Sequence, residues 1–180
     1  MSGFKKSNEE LMKAFGFCQH GDISVMNYFD IPKPSCQDNQ VLVKVKASAF
    51  NHLDIWVRKG WPGLSLELPH ISGSDAAGEI CEIGKKVVGF SIGDRVVINP
   101  GISQIIDDYV LEGEPSVSPY YKIVGEQLPG THTQYIVLPS ENVLKIPDNF
   151  DYAKAAAASL VSITAWRMLI KRAQIKLGEK

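Results

Sequence analysis

The chain has 180 residues, with 19 Lys and Arg against 20 Asp and Glu, 44% hydrophobic and 22% charged, a balance that excludes intrinsic disorder and collagen-like order. No run of basic residues exceeds two, so there is no surplus positive charge for a phosphate backbone, and nucleic acid is excluded as an expected partner. No apolar run reaches the roughly 18 residues of a bilayer span, and the charged start MSGFKKSNEELMKAF lacks the apolar segment of a secretory signal, so no membrane partner is expected.

Residues 1–11 are polar and read as an extension, in which Ser7 and Glu10 suit a short capped helix. Strand-like runs of β-branched and aromatic residues follow at 13–19, 24–28, 40–49, 77–83, 95–99 and 133–139. Turn signals cut them at Gly21-Asp22, at 31–34, at Gly84-Lys85 and at Gly93-Asp94. Residues 12–147 thus predict a β-rich domain without internal repeats. The character changes over 148–180. Asp151 suits an N-cap, Ala155, Ala156, Ala157 and Ala158 favour a helix over 152–159, and the helical pattern runs on over 160–173. Ile163, Trp166, Leu169 and Ile170 then share one face, with Arg167, Lys171 and Arg172 off it. Nothing later in the sequence covers that face, which predicts an exposed apolar patch and a domain cut short.

Short motif rules assign no chemistry. There is no GxGxxG, no GxxxxGK[ST], no HExxH and no GxSxG. Cys18, Cys36 and Cys81 form no CxxC pair and predict reduced thiols in a cytoplasmic protein, packed as small hydrophobes. His20, His52, His70 and His132 are isolated from the cysteines and from one another, which predicts surface or hydrogen-bonded histidines rather than ligands. Gly73 and Gly78 flank Asp75 where a strand must turn and let backbone approach closely.

Longer blocks, read together, are more specific. KAFGF (13–17), VLVKVKASAFNHLDIWVRKG (41–60), LPHISGSDAAGEI (68–80), VVGFSIGDRVVI (87–98), GTHTQYIVLP (130–139) and AAAASLVSITAWRML (155–169) resemble, in order and spacing, the medium-chain dehydrogenase/reductase superfamily. The resemblance covers most of the chain. It implies a mainly β fold with some α: a GroES-like, partly open β-barrel on the catalytic side of a cleft, followed by helices leading into a Rossmann domain that this sequence does not contain. It also implies NAD(P)H as the cofactor of the full-length protein.

Zinc-dependent members of the superfamily place catalytic metal ligands at positions that correspond here to Asn51, Ser74 and Leu160, which are not the thiolates, imidazoles or carboxylates a Zn²⁺ site needs. Asp75, beside Ser74, cannot make a site alone. The four-cysteine structural lobe of those enzymes corresponds to residues 101–126, with Gln104, Asp107, Val110 and Ser118 at its ligand positions. Zinc is therefore expected at neither place, and two ways of holding the metal-free lobe stay open: packing of Ile105, Ile106, Tyr109, Val110 and Leu111, or a partner.

Leu53 stands where zinc enzymes begin their proton relay with a hydroxyl, and Asn51-His52-Leu53-Asp54 with Arg58-Lys59-Gly60 is more similar to the zinc-free quinone oxidoreductases. The resemblance implies an oxidoreductase reducing a quinone or conjugated carbonyl by hydride transfer. Asn51 would be the catalytic amide and also touch the cofactor, with His52 and Thr164 as further cofactor contacts and Trp56, Trp61 and Leu64 as the substrate wall. Alone, the 180 residues are expected to be inactive. A zinc-type alcohol dehydrogenase-like enzyme and a non-enzymatic GroES-like binding module stay open as alternatives. So do NAD against NADP, the particular small-molecule substrate and a homo-oligomeric state.

Overall fold

The computed structural model describes residues 10–103 and 105–179. The expected capping of a helix by Ser7 and the lobe position Gln104 lie outside the described residues. Among the described residues, ten strands and three α-helices follow in chain order: β1 (Leu11–Phe17), β2 (Met26–Pro32), β3 (Gln40–Ala49), α1 (His52–Lys59), β4 (His70–Ile71), β5 (Asp75–Ile83), β6 (Arg95–Ile98), β7 (Gly101–Ser103), α2 (Asp108–Leu111), β8 (Tyr121–Ile123), β9 (Tyr135–Pro139), β10 (Val143–Lys145) and α3 (Tyr152–Trp166). A π-helical turn, Arg167–Arg172, continues α3.

The strands form a five-stranded antiparallel sheet ordered β10-β6-β5-β3-β9, a three-stranded sheet ordered β2-β1-β4, and the ribbon β7-β8. The segment before β9 stitches the first two sheets together: Phe15 N–H donates to the His132 carbonyl at 2.8 Å, and Gln134 N–H to the Lys13 carbonyl at 3.1 Å. Two sheets joined along this one seam make the partly open barrel that the resemblance implies.

Alternation along the strands decides which side of the large sheet each residue faces. Val41 and Val43 of β3, Ala76 and Ile80 of β5 and Ile136 and Leu138 of β9 fill the barrel core. Ala77 points the other way and packs with Ile146, Ala155 and Ala156, so small side chains on both elements let α3 lie close on the outer face of β5. Asp75, two residues before Ala77, shares that outward face. Close approach also fixes two glycines. A Cβ at Gly78 would stand 2.2 Å from the Lys44 carbonyl oxygen, and Gly73, at φ +97°, would bring one to 2.6 Å from His132 Nδ1.

Several boundaries differ from the sequence expectations. Leu11, assigned to the extension, begins β1. Residues 23–25 form a 3-10 turn, because the Asp22 carboxylate accepts the Ser24 N–H at 2.8 Å, and β2 then runs through the expected turn at 31–32 by pairing fully with β1. Helix α1 went unanticipated. The apolar-run criterion also missed one feature: α3 and the π-turn together give a helix of 21 residues, Tyr152–Arg172, holding an 18-residue window of mean hydropathy 1.2, long and apolar enough by length and composition to cross a membrane. Serines and Thr164 interrupt its apolar residues without lowering the average much. Its first half packs on the sheet through Ala155, Ala156 and Ser159, while Ile163, Trp166, Leu169 and Ile170 are exposed, as the expected patch requires.

Candidate active site

Strand β3 ends at Ala49, and two residues later Asn51 turns the chain into α1 as its N-cap. The Asn51 side-chain oxygen accepts the Leu53 N–H at 3.2 Å, and Asp54 returns the favour by accepting the Asn51 N–H at 2.7 Å. This reciprocal cap has the N-x-x-D form of a capping box. It also accounts for Asp54, which pins the backbone here. The remaining polar atoms of Asn51 face β5: its Nδ2 donates to Asp75 Oδ2 at 3.2 Å.

Asp75 is only 2% exposed. Its second oxygen, Oδ1, accepts the Leu160 backbone N–H of α3 at 2.6 Å, and its main-chain carbonyl accepts the Thr131 hydroxyl at 3.1 Å. Burial pushes the Asp75 carboxyl above the usual range, against the Leu160 and Asn51 donors that favour its charged form, while the Asp54 carboxylate raises it further and His132 lowers it. Asp54 is raised for the same leading reason, burial, opposed by the backbone amides of Asn51 and Gly73. The adjoining Ser74 hydroxyl is buried without a hydrogen-bond partner among the described residues, and so is His132 Nε2. The other ring nitrogen of His132 lies 3.1 Å from Ser48 Oγ.

Asn51 and the Leu160 main chain therefore meet on one buried carboxylate, Asp75, whose chain neighbour is Ser74, although Ser74 follows Asn51 by 23 positions and Leu160 follows Ser74 by 86. As a donor set they are an amide already used as a cap, a hydroxyl and an alkyl side chain, and this set does not suit Zn²⁺. Among the described residues no group of three or more His, Cys, Asp and Glu is arranged to hold a metal ion.

The expected cofactor and substrate contacts are placed as follows. Thr164 lies on α3 one turn beyond Leu160, on the same side of the helix, and is exposed. His52 is exposed at the start of α1, edge-to-face with Trp56 at 4.8 Å between ring centroids. Trp56 is 57% exposed, Trp61 is exposed, and half-buried Leu64 closes a turn by donating its N–H to the Trp61 carbonyl at 3.1 Å. Asn51 and the α3 segment bearing Thr164 are thus brought together through Asp75, whereas among the described residues no hydrogen bond or ring contact joins Trp56, Trp61 or Leu64 to them. A separate cleft of about 630 Å³ opens between α3 and the 101–121 segment, where Trp166, Arg167 and Lys171 face Tyr121 and Asn142.

The lobe corrects one expectation. Ile106 and Leu111 are each 75% exposed and Ile105 and Tyr109 are also exposed, so apolar packing does not hold it. Hydrogen bonds do: Asp107 caps α2 by accepting the Val110 N–H at 3.0 Å and accepts the Ser118 hydroxyl at 2.7 Å, joining three of the four ligand positions directly. Its carboxyl is held low, first by the Ser118 bond. Glu114 then ties the lobe to the end of α3 through Arg167 at 2.5 Å and Arg172 at 3.1 Å. The cysteines are free thiols. Cys18 is exposed rather than buried, while Cys36 and Cys81 are half-buried, and burial pushes the Cys36 thiol up to about 11. His20 Nδ1 lies 3.0 Å from the Val57 carbonyl oxygen and His70 Nε2 3.2 Å from that of Gly125, roles fitting hydrogen-bonded structural histidines.

A partly open barrel with an outlying lobe and a helix laid across the outer face of its large sheet defines a GroES-like domain. The chain belongs to the alcohol dehydrogenase GroES-like domain family, which it matches over residues 37–148. It is 34% identical over 152 residues to a zinc-type alcohol dehydrogenase-like protein of Schizosaccharomyces pombe, covering 83% of this chain and 42% of that protein. It is 29% identical over 174 residues to human quinone oxidoreductase, covering 96% of this chain and 45% of the relative. Among solved structures, that of an NAD-dependent alcohol dehydrogenase superposes with a TM-score of 0.89 at 40% identity, covering 93% of this chain and 49% of the other. The chain spans about half the length of the relatives it matches, and those relatives are oxidoreductases.

Sequence reasoning missed the central place of Asp75. A signal was available: in the strand pattern Asp75 shares a face with Ala77, the face that small residues reserve for a helix.

Proposed function

We propose that the chain is the catalytic-side domain of a zinc-independent, NAD(P)H-dependent oxidoreductase that reduces a quinone or conjugated carbonyl by hydride transfer. The observation that carries this reading is the meeting of Asn51 and the Leu160 main chain on the Asp75 carboxylate, beside Ser74, where two neutral donors engage the carboxylate and the Asn51, Ser74 and Leu160 side chains offer no thiolate or imidazole. Bound reduced nicotinamide supplies the hydride. The protein's part is orientation and fixed dipoles. One hydrogen of Asn51 Nδ2 is engaged by Asp75, and the other is left to meet the substrate oxygen as it gains negative charge. Thr164 and His52, both exposed, flank this point from α3 and α1 as cofactor contacts. Trp56, Trp61 and Leu64 offer flat apolar surface to a quinone or enone once the rest of the cleft is in place. The reading places the protein in the cytoplasm with a small-molecule substrate.

A second reading, a zinc-type alcohol dehydrogenase, draws on the 40% identity to the NAD-dependent alcohol dehydrogenase structure. The test is an activity screen of the complete gene product against quinones, enones and alcohols with NADH, NADPH and their oxidised forms, alongside metal analysis. Quinone or enone reduction by protein without stoichiometric zinc supports the proposal. Alcohol oxidation by protein holding one zinc per chain at Asn51, Ser74 and Leu160 overturns it.

A further inference from the structure

The Asp75 carboxylate is buried, and among the described residues no Lys or Arg pairs with it. Its two oxygens are divided between neutral donors from different elements, the Leu160 backbone N–H of α3 at 2.6 Å and Asn51 Nδ2 at the head of α1 at 3.2 Å. A buried carboxylate left short of donors costs several kcal/mol or shifts to its neutral form, so each of these donors is held firmly. The other charged or titratable groups facing it are Asp54 and His132.

The consequence falls on Asn51. Its amide has two different ends, and each has one partner that only that end suits. Oδ1 accepts the Leu53 N–H, and Nδ2 donates to Asp75. Turned over, the amide would set Oδ1 against a carboxylate oxygen and Nδ2 against a backbone N–H, losing both bonds and adding two repulsions. The Leu53 N–H suits only Oδ1, and the carboxylate adds a second partner that suits only Nδ2.

We propose that Asp75 is a positioning residue for Asn51: it fixes which end of the amide faces inward and so the direction of the one Nδ2 hydrogen left over, while its other oxygen registers α3 against the same point. The use of that hydrogen on a reacting oxygen rests on the proposed reaction, but the hold itself does not.

The test is therefore made without turnover, by NMR on the ¹⁵N-labelled 180-residue chain. Solvent exchange is measured for the two Asn51 side-chain amide hydrogens and for the Leu160 backbone amide. In the wild type, the Asn51 hydrogen facing Asp75 is expected to exchange about tenfold more slowly than its twin, the factor a single net hydrogen bond supplies. Asp75→Asn should remove that difference while the core amides of β3 stay protected, and Asp75→Glu should restore part of it. If Asp75→Asn slackens only the Leu160 amide and leaves the Asn51 pair unequal, Asp75 merely anchors the helix and the proposal fails. If a substituted chain does not fold, the wild type still decides, because equal exchange of its two Asn51 hydrogens overturns the proposal outright. A negative substrate screen leaves this result untouched, and a failed exchange test leaves the proposed reaction standing without Asp75 as its guide.

Discussion

Arg95 controls how α3 meets the barrel. It leaves β6 and reaches across to residues 147–150, the segment that delivers the chain to the Asp151 cap of α3. One nitrogen donates to the Pro147 carbonyl at 2.9 Å and closely to that of Asp148, and another to the Phe150 carbonyl at 2.6 Å. Its guanidinium also lies over the Tyr152 ring, 4.4 Å from the centroid. Hydrogen bonds from a charged donor contribute about 1.5–3 kcal/mol each when sheltered, but these are partly exposed and are taken at about 1 kcal/mol apiece. The stacked cation adds about 0.5–1 kcal/mol. Arg95→Ala should therefore lower stability by about 3.5–4 kcal/mol in urea unfolding of the 180-residue chain. Arg95→Lys should recover less than half of it, since an ammonium cannot span three carbonyls as a planar fork does. A loss below about 0.5 kcal/mol for the alanine variant, or a lysine variant matching the wild type, would refute the argument that this fork seats α3.

Two other outcomes are expected. His70 is buried between Phe17 and the Gly125 carbonyl, and burial holds its pKa below the ordinary value. Its neutral form therefore stabilises the fold at neutral pH, and that contribution fades as pH falls below about 6.5 toward the folded value. Asp54 and Asp75, both raised, act in the opposite sense, so the informative quantity is the difference between proteins. His70→Gln should lose less stability than the wild type between about pH 7.5 and about pH 5.5, and identical slopes in thermal unfolding would contradict this. In the lobe, Asp107→Ala removes both the α2 cap and the Ser118 partner. Hydrogen–deuterium exchange should quicken over residues 105–120 while β3 and β5 remain protected; unchanged exchange in the lobe would return its support to apolar contacts.

How much of this was legible in the sequence differs from element to element. Strand β3 was read with the bounds the structure gives, because Val41, Val43 and Val45 alternate in a stretch free of Gly and Pro between the polar Gln40 and Asn51. The helix from Tyr152 announced itself through Asp151, whose carboxylate accepts the N–H groups of Ala153 and Lys154. Strands β4, β7, β8 and β10, of two or three residues each, carry too few positions for a period and exist because a distant partner pairs with them. Helix α1 hid behind eight residues of mixed character with an Asn–Asp box in place of the Ser/Thr–Glu form. At the site, the three metal-ligand positions were legible through resemblance alone. That a carboxylate draws two of them in was not, because a hydrogen bond to the Leu160 main chain leaves no mark on side-chain identity.

The π-helical stretch after Trp166 has a consequence for the lobe. In an α-helix, residues five apart point well away from each other; a wider coil, closed here by the Ala173 N–H on the Met168 carbonyl at 2.8 Å, brings them back into near alignment. Arg167 and Arg172 are five apart, and this is how one carboxylate, Glu114, can grip both. The extra residue in the coil works like a link added to a chain so that its hooks line up. Rewinding this stretch as an α-helix with all its residues kept would swing the second guanidinium about 140° around the axis and leave Glu114 with a single tether.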